Sequence, residues 1–223
     1  MTENCQTTPS IPDGLPFPSA ILSLMKKAVQ LHRSGRTEEA RRIYQQILIA
    51  FPEHPDALHL LGVAENEARN YETSVSLISA AIQSMPGQAP FYSNLGNAFR
   101  GLGRMQKAIA CYQKSLDIDP EFHTVVYNLA VTYKQTRQVD KAEASARKAL
   151  VLNPKCGQTW CLLGDILRQS TRIDESVMCF KNALAINPDF EQAWFHVGNA
   201  HRIRKETSKA VYCYERAPGI NTN

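Results

Sequence analysis

The 223-residue chain contains no apolar run near the roughly 18 residues that a membrane-spanning helix needs, so no membrane span is expected. Its N-terminus has no basic stretch followed by an apolar core; no secretory signal is read, and a cytoplasmic location is the expectation. An excess of one charge is also missing. Lys and Arg total 25 against 21 Asp and Glu, a net charge of +4, and aromatic platforms interleaved with cations are absent. A nucleic-acid partner, which would draw on a concentrated basic surface, is therefore not expected.

Cysteine is present but lacks the spacing that would give it a metal. Six cysteines include no C-x2-C pair, and the nearest two, Cys156 and Cys161, have no second pair to complete a zinc site. Cys111, Cys179 and Cys213 recur in one frame and read as reduced packing thiols. The six histidines are scattered outside any H-E-x-x-H or H-x-E pattern, so neither a metal site nor a cofactor is expected. The phosphate loop G-x4-G-K-[ST], the G-x-S-x-G elbow and the dinucleotide G-x-G-x2-G are missing too. The nearest glycine cluster, Gly101-Leu102-Gly103, reads as a turn between helices, where glycine ends a helix cheaply. The chain reads as a non-enzyme.

What the chain does have is a beat. Pro52, Pro86, Pro120, Pro154 and Pro188 stand 34 residues apart, each after a run of helical period. Units of 34 residues follow: 21–54, 55–88, 89–122, 123–156, 157–190 and 191–218. Position 20 of the unit is always small, as Ala40, Ser74, Ala108, Ala142, Ser176 and Ala210. Position 24 is mostly large, as Tyr44, Ile78, Tyr112, Ala146, Phe180 and Tyr214. Position 4 carries Leu24, Leu58, Tyr92, Val126, Trp160 and Trp194, and positions 7 and 8 read Leu61-Gly62, Leu95-Gly96, Leu129-Ala130, Leu163-Gly164 and Val197-Gly198.

Positions 4, 8 and 11 form one helical stripe, and positions 20, 24, 27 and 28 form another on a following helix. Small residues at 8 and 20 let two backbones approach, and large ones at 4 and 24 fill what remains. Proline at 32 ends the second helix, because it lacks the N–H and its ring clashes with the preceding turn. Each unit is thus a helical hairpin that buries its apolar face only by stacking on neighbours.

These landmarks resemble the tetratricopeptide repeat, W-x2-L-G-x2-Y, then A-x3-F, then P. The resemblance implies an all-α, right-handed superhelical solenoid of about six hairpins over residues 19–218, between a disordered tail at 1–18 and a short tail at 219–223. It also implies that first-helix positions 2, 5, 6, 9, 12 and 13 line a concave groove. Positions 5, 9 and 12 do share one helix face, opposite the core stripe. Position 12 offers a ladder of cations, Arg100, Lys134, Arg168 and Arg202. Positions 6 and 9 offer Asn94, Asn97, Asn128, Asp165, His196 and Asn199, where amides can donate to and accept from the backbone of an extended peptide. Tyr127 and Phe195 at position 5 add aromatic surface.

The expected function is a scaffold that holds an extended peptide or partner protein, an acidic one if the cations are used. The carboxylate clamp of chaperone-binding repeats is not carried over, because Ser93, Gln158 and Leu162 stand where that clamp is basic. The wording of "LHRSGRTEEARRIYQQIL" and "FYSNLGNAFRGLGRMQKAIACYQKSLDIDP" is also similar to repeats of bacterial O-linked N-acetylglucosamine transferase-like proteins. That resemblance implies an alternative, a substrate-recognition module or truncated remnant without the catalytic domain, in which Asn94 and Asn128 hold the protein substrate. At the ends, Lys27 at position 7 suits a terminal hairpin, and Pro218-Gly219 is expected to stop the last helix about a turn short. Val211, Tyr212 and Tyr214 would then be left uncovered and open to self-association.

Overall fold

The computed structural model describes residues 18–217 and Gly219; the expected N-terminal tail lies outside them except for Pro18, which begins the first helix rather than ending the tail. Among the described residues the secondary structure is α-helical throughout: α1 (Pro18–Arg33), α2 (Thr37–Ala50), α3 (Pro55–Glu67), α4 (Tyr71–Ser84), α5 (Ala89–Gly101), α6 (Met105–Ile118), α7 (His123–Gln135), α8 (Val139–Leu152), α9 (Gly157–Gln169), α10 (Ile173–Ile186), α11 (Glu191–Ile203) and α12 (Thr207–Glu215). The helices keep the proline frame. From the second unit on, each first helix occupies positions 1 to 13, and all second helices but α12 occupy positions 17 to 30. Two compact units divide between Leu102 and Gly103. Inside each, sequence-adjacent helices pack on one another, and first helices also meet, α3 with α5 and α7 with α9.

Close approach within a hairpin is built by positions 8 and 24. A Cβ added at Gly62 would sit 2.5 Å from Ile78 Cγ1, one at Gly164 2.8 Å from Phe180 Cε1, and one at Gly198 2.7 Å from Tyr214 Cε1. The side chain at 24 therefore lies flat on the backbone of the first helix. The fourth hairpin has Ala130 at position 8 and, in register, Ala146 at 24, both fully buried. The methyl added on one helix is matched by the ring removed from the other. Position 4 fills less of the core than the sequence suggests. Trp160 and Trp194 are only partly buried, because each indole N–H donates to the carbonyl of the preceding proline, Pro154 at 2.9 Å and Pro188 at 2.6 Å. An indole with an apolar body and a polar edge belongs at such a boundary.

Proline acts on the residue before it as well. Phe51, Met85, Asp119, Asn153 and Asn187 cap the second helices with φ between −130° and −141°, the extended backbone that a following proline imposes.

The turn inside every hairpin places position 15 in the left-handed region. Gly35 and Gly103 occupy it at φ 79° and 71°, but so do Arg69, Arg137, Thr171 and Lys205 at 59° to 64°. Gly103 is thus the turn glycine of Gly101-Leu102-Gly103. Gly101 lies within α5, where a Cβ would run into the Tyr71 ring, so packing rather than helix termination places it there. A β-branched residue is the poorest occupant of this backbone. Thr171→Gly is accordingly expected to raise stability by about 0.5–1 kcal/mol, the relief of strain outweighing the entropy of the freer unfolded chain. A rise in the urea midpoint checks it, and an unchanged or lower midpoint counts against strain at this turn.

At the ends, Lys27 is exposed, and α12 stops at Glu215 after nine residues, as Pro218 leads one to expect. Val211 and Tyr212 stand 48% and 50% exposed. Tyr214 does not join them. At position 24 it covers Gly198, and its hydroxyl donates to Asn199 Oδ1 at 3.0 Å.

Candidate functional site

In residues 103–223, first-helix residues of α7, α9 and α11 enclose a cavity of ≈ 540 Å³. Its wall includes three side chains expected from the sequence, Tyr127, Lys134 and Asp165, and four glutamines that the sequence does not mark as binding residues, Gln158 having figured only as a departure from the carboxylate clamp. Gln158 and Gln192 stand at position 2, and Gln135 and Gln169 at position 13. Both positions belong to the groove frame, so the frame pointed to them although no ladder of identical residues did.

Asp165 is the hub of this wall. Only 7% exposed, its Oδ2 accepts from Lys134 Nζ at 2.8 Å and from Gln192 Nε2 at 3.3 Å. Arg168 Nη2 and His196 Nε2 lie 3.7 and 3.2 Å from Oδ1, a buried oxygen to which neither is aligned for a hydrogen bond. Burial pushes the carboxyl pKa up, but His196 and Lys134 pull harder, and the net result is about 2. Asp165 is therefore ionised at neutral pH, and it ties α7, α9 and α11 together. Cys161 lines the same wall as a neutral thiol, since burial, with Asp165 beside it, raises its pKa to about 12.

A second cavity, ≈ 450 Å³, lies where α11 crosses the start of α10, and Phe195, His196, Asn199, Arg168 and Arg202 all line it. His196 stacks on Phe180, with centroids 4.6 Å apart. Tyr214 fixes the Asn199 amide by donating to its oxygen, which leaves Nδ2 as a donor.

Residues 1–102 hold Asn94, Asn97 and Arg100 on α5. Asn94 Nδ2 bonds His59 Nε2 at 2.9 Å, and Asn97 Nδ2 donates to Asn94 Oδ1 at 3.4 Å. His59 stacks on Phe91 at 4.3 Å, and burial lowers its pKa to about 4, so its ring is neutral and can accept from the amide. The position-6 amide thus has one proton and one lone pair already committed. Asn128, on α7, is half-buried. In place of one uniform amide row, the structure shows a locally bonded cluster in one unit and an ion-paired hub in the other.

Comparison with known proteins agrees with the helical-repeat fold. Four tetratricopeptide-repeat family models match residues 26–92, 89–122, 111–144 and 157–190, the second and fourth coinciding with units of the proline frame. Among curated proteins, the rat N-alpha-acetyltransferase 25, NatB auxiliary subunit, is 28% identical over 106 residues; the match takes in 46% of this chain and 11% of that one, so the chain spans a small part of that relative. Among solved structures, PilF of Pseudomonas aeruginosa superposes with a TM-score of 0.78 at 16% identity, covering 87% of this chain and 89% of its own. A thermophilic TPR protein of Thermus thermophilus, TTC0263, gives 0.65 at 20% identity over 86% and 99%. A chain of the APC/C hetero-tetramer Cut9–Hcn1 gives 0.77 at 17% identity over 91% and 40%. At these identities the structural likeness shows the fold. With six hairpins in one frame and repeat models matching over more than half of its length, the chain is a tetratricopeptide-repeat protein.

Proposed function

We infer that the chain is a protein-interaction scaffold and that the first-helix face of residues 103–223 holds an extended segment of a partner protein. The carrying observation is the ≈ 540 Å³ cavity on that face, with Gln158 and Gln192 beside the Lys134–Asp165 pair. A primary amide offers two donors and an acceptor, the complement of a peptide backbone. Tyr127 and Phe190 supply flat apolar surface for side chains of the segment. Lys134, Arg168 and Arg202 bias the choice toward acidic segments, although Lys134 is already neutralised by Asp165. In residues 1–102 the matching elements are Asn97 and Arg100. The glycosyltransferase-like reading would rest on Asn94 and Asn128, and Asn94 is already bonded to His59 and Asn97. The side chains therefore favour the scaffold.

A photo-crosslinking amino acid tests the reading. Placed at Gln158 on this face, it is expected to trap a discrete partner from native lysate. Placed at Lys148, exposed on α8, it is expected to trap none of it. Equal trapping at both positions, or competition by no peptide from the trapped partner, overturns the assignment of the face.

A further inference from the structure

Resting on that reading, we propose that the ≈ 450 Å³ cavity is a carboxylate site, taking the carboxylate of an acidic or C-terminal residue of the bound segment together with apolar atoms beside it. The wall carries Arg168 and Arg202 and no Asp or Glu. Arg202 makes no ion pair with a described residue, and Arg168 reaches Asp165 only at 3.7 Å, where Lys134 already holds that carboxylate at 2.8 Å. Two guanidinium groups thus border one cavity with a single shared, already matched counter-charge. Guanidinium groups donate in a planar fork that fits a carboxylate.

Two further side chains of the wall are held in place for the same task. Because Tyr214 donates to Asn199 Oδ1, the amide cannot turn that oxygen toward an anion without losing the bond, and Nδ2 remains the donor. His196 is held by stacking on Phe180 and by its place beside Asp165. Phe195, Ile173 and Ile203 complete the wall with apolar surface, so a bare inorganic anion would leave most of the cavity unfilled. Both cations stand at position 12, where the carboxylate clamp has none.

The test is a nuclear magnetic resonance titration of the whole chain, following the Asn199 Nδ2 and Arg168 and Arg202 Nε signals. The probes are a leucine-rich tetrapeptide with a free C-terminus, the same peptide amidated, an amidated peptide with an internal glutamate, and inorganic phosphate. Shifts with a free carboxylate are expected in the millimolar range typical of a short ligand. Loss on amidation identifies the C-terminus as the source, and retention with the internal glutamate identifies a side chain. Asn199→Asp, which keeps the acceptor for Tyr214 but sets a negative charge in the cavity, is expected to weaken binding about tenfold or more, and Arg202→Gln about three- to tenfold. Silence at Asn199 and Arg202 with every carboxylate, shifts with phosphate alone, or unchanged affinity in Asn199→Asp would overturn the site. Movement at Gln158 and Tyr127 in that silent titration would leave the peptide-holding face standing, and that face is judged separately by its crosslinks.

Discussion

Phe180→Ala is expected to lower stability by about 3–5 kcal/mol, the cost of deleting a buried aromatic ring that neighbours replace only partly. The ring is 1% exposed, covers Gly164 of its own hairpin, and stacks on His196 of the next. It belongs to a cluster with Cys161, Ala183, Ala193, Val197 and Cys213, so one deletion loosens the interface between two hairpins. In a repeat array stability is a sum of local and nearest-neighbour terms, and the loss should appear as early melting of the C-terminal hairpins. Gly164→Ala alone should cost about 1–3 kcal/mol, because its Cβ would press on a ring already in contact. The double substitution is expected to cost less than the sum, since it recreates the Ala130–Ala146 arrangement of the fourth hairpin. Urea denaturation of the four proteins gives the coupling directly. Additive losses would show that the two positions do not share space.

The same pair shows what the sequence made legible and what it did not. A strict 34-residue frame fixes helix positions, because proline, turn and small-residue sites each have a local cause within their own unit. The compensation of Ala130 by Ala146 could also be read there, once positions 8 and 24 were known to touch. Contacts between units are another matter. Position 12 reads as a ladder of like cations when written in one column, yet Lys134 reaches forward to Asp165, 31 residues on, and Arg202 reaches nothing described. Periodicity reports which face a residue occupies and is silent about which neighbour it meets. Tyr214 makes the same point, expected to stand uncovered but lying on Gly198 and fixing Asn199. The four glutamines carried no signal because glutamine recurs only twice in each of two columns, 2 and 13, which come together at one cavity.

Asp165→Asn is the second large effect, and its signature is pH. A carboxyl held at about 2 in the folded chain, against an ordinary value near 4, stabilises the folded state by about 2 kcal/mol wherever both states are ionised. The depressed value sets the sign: the contribution is complete above about pH 5 and disappears as pH falls toward 2. At pH 7 the variant is expected to be less stable by about that amount, and near pH 2 the two proteins should converge. Glu143, Glu175, Glu39 and Glu206 also have lowered values, so acid destabilises both chains, and only the difference between them isolates Asp165. A difference independent of pH would mean that shape rather than charge makes this residue matter. Convergence would establish that α7, α9 and α11 are drawn together by one buried charge. The carboxylate would then hold Lys134 in the wall of one cavity and lie beside Arg168 and His196 of the other, and losing it should free Lys134 and Arg168 for an anionic partner even as the face that positions them slackens.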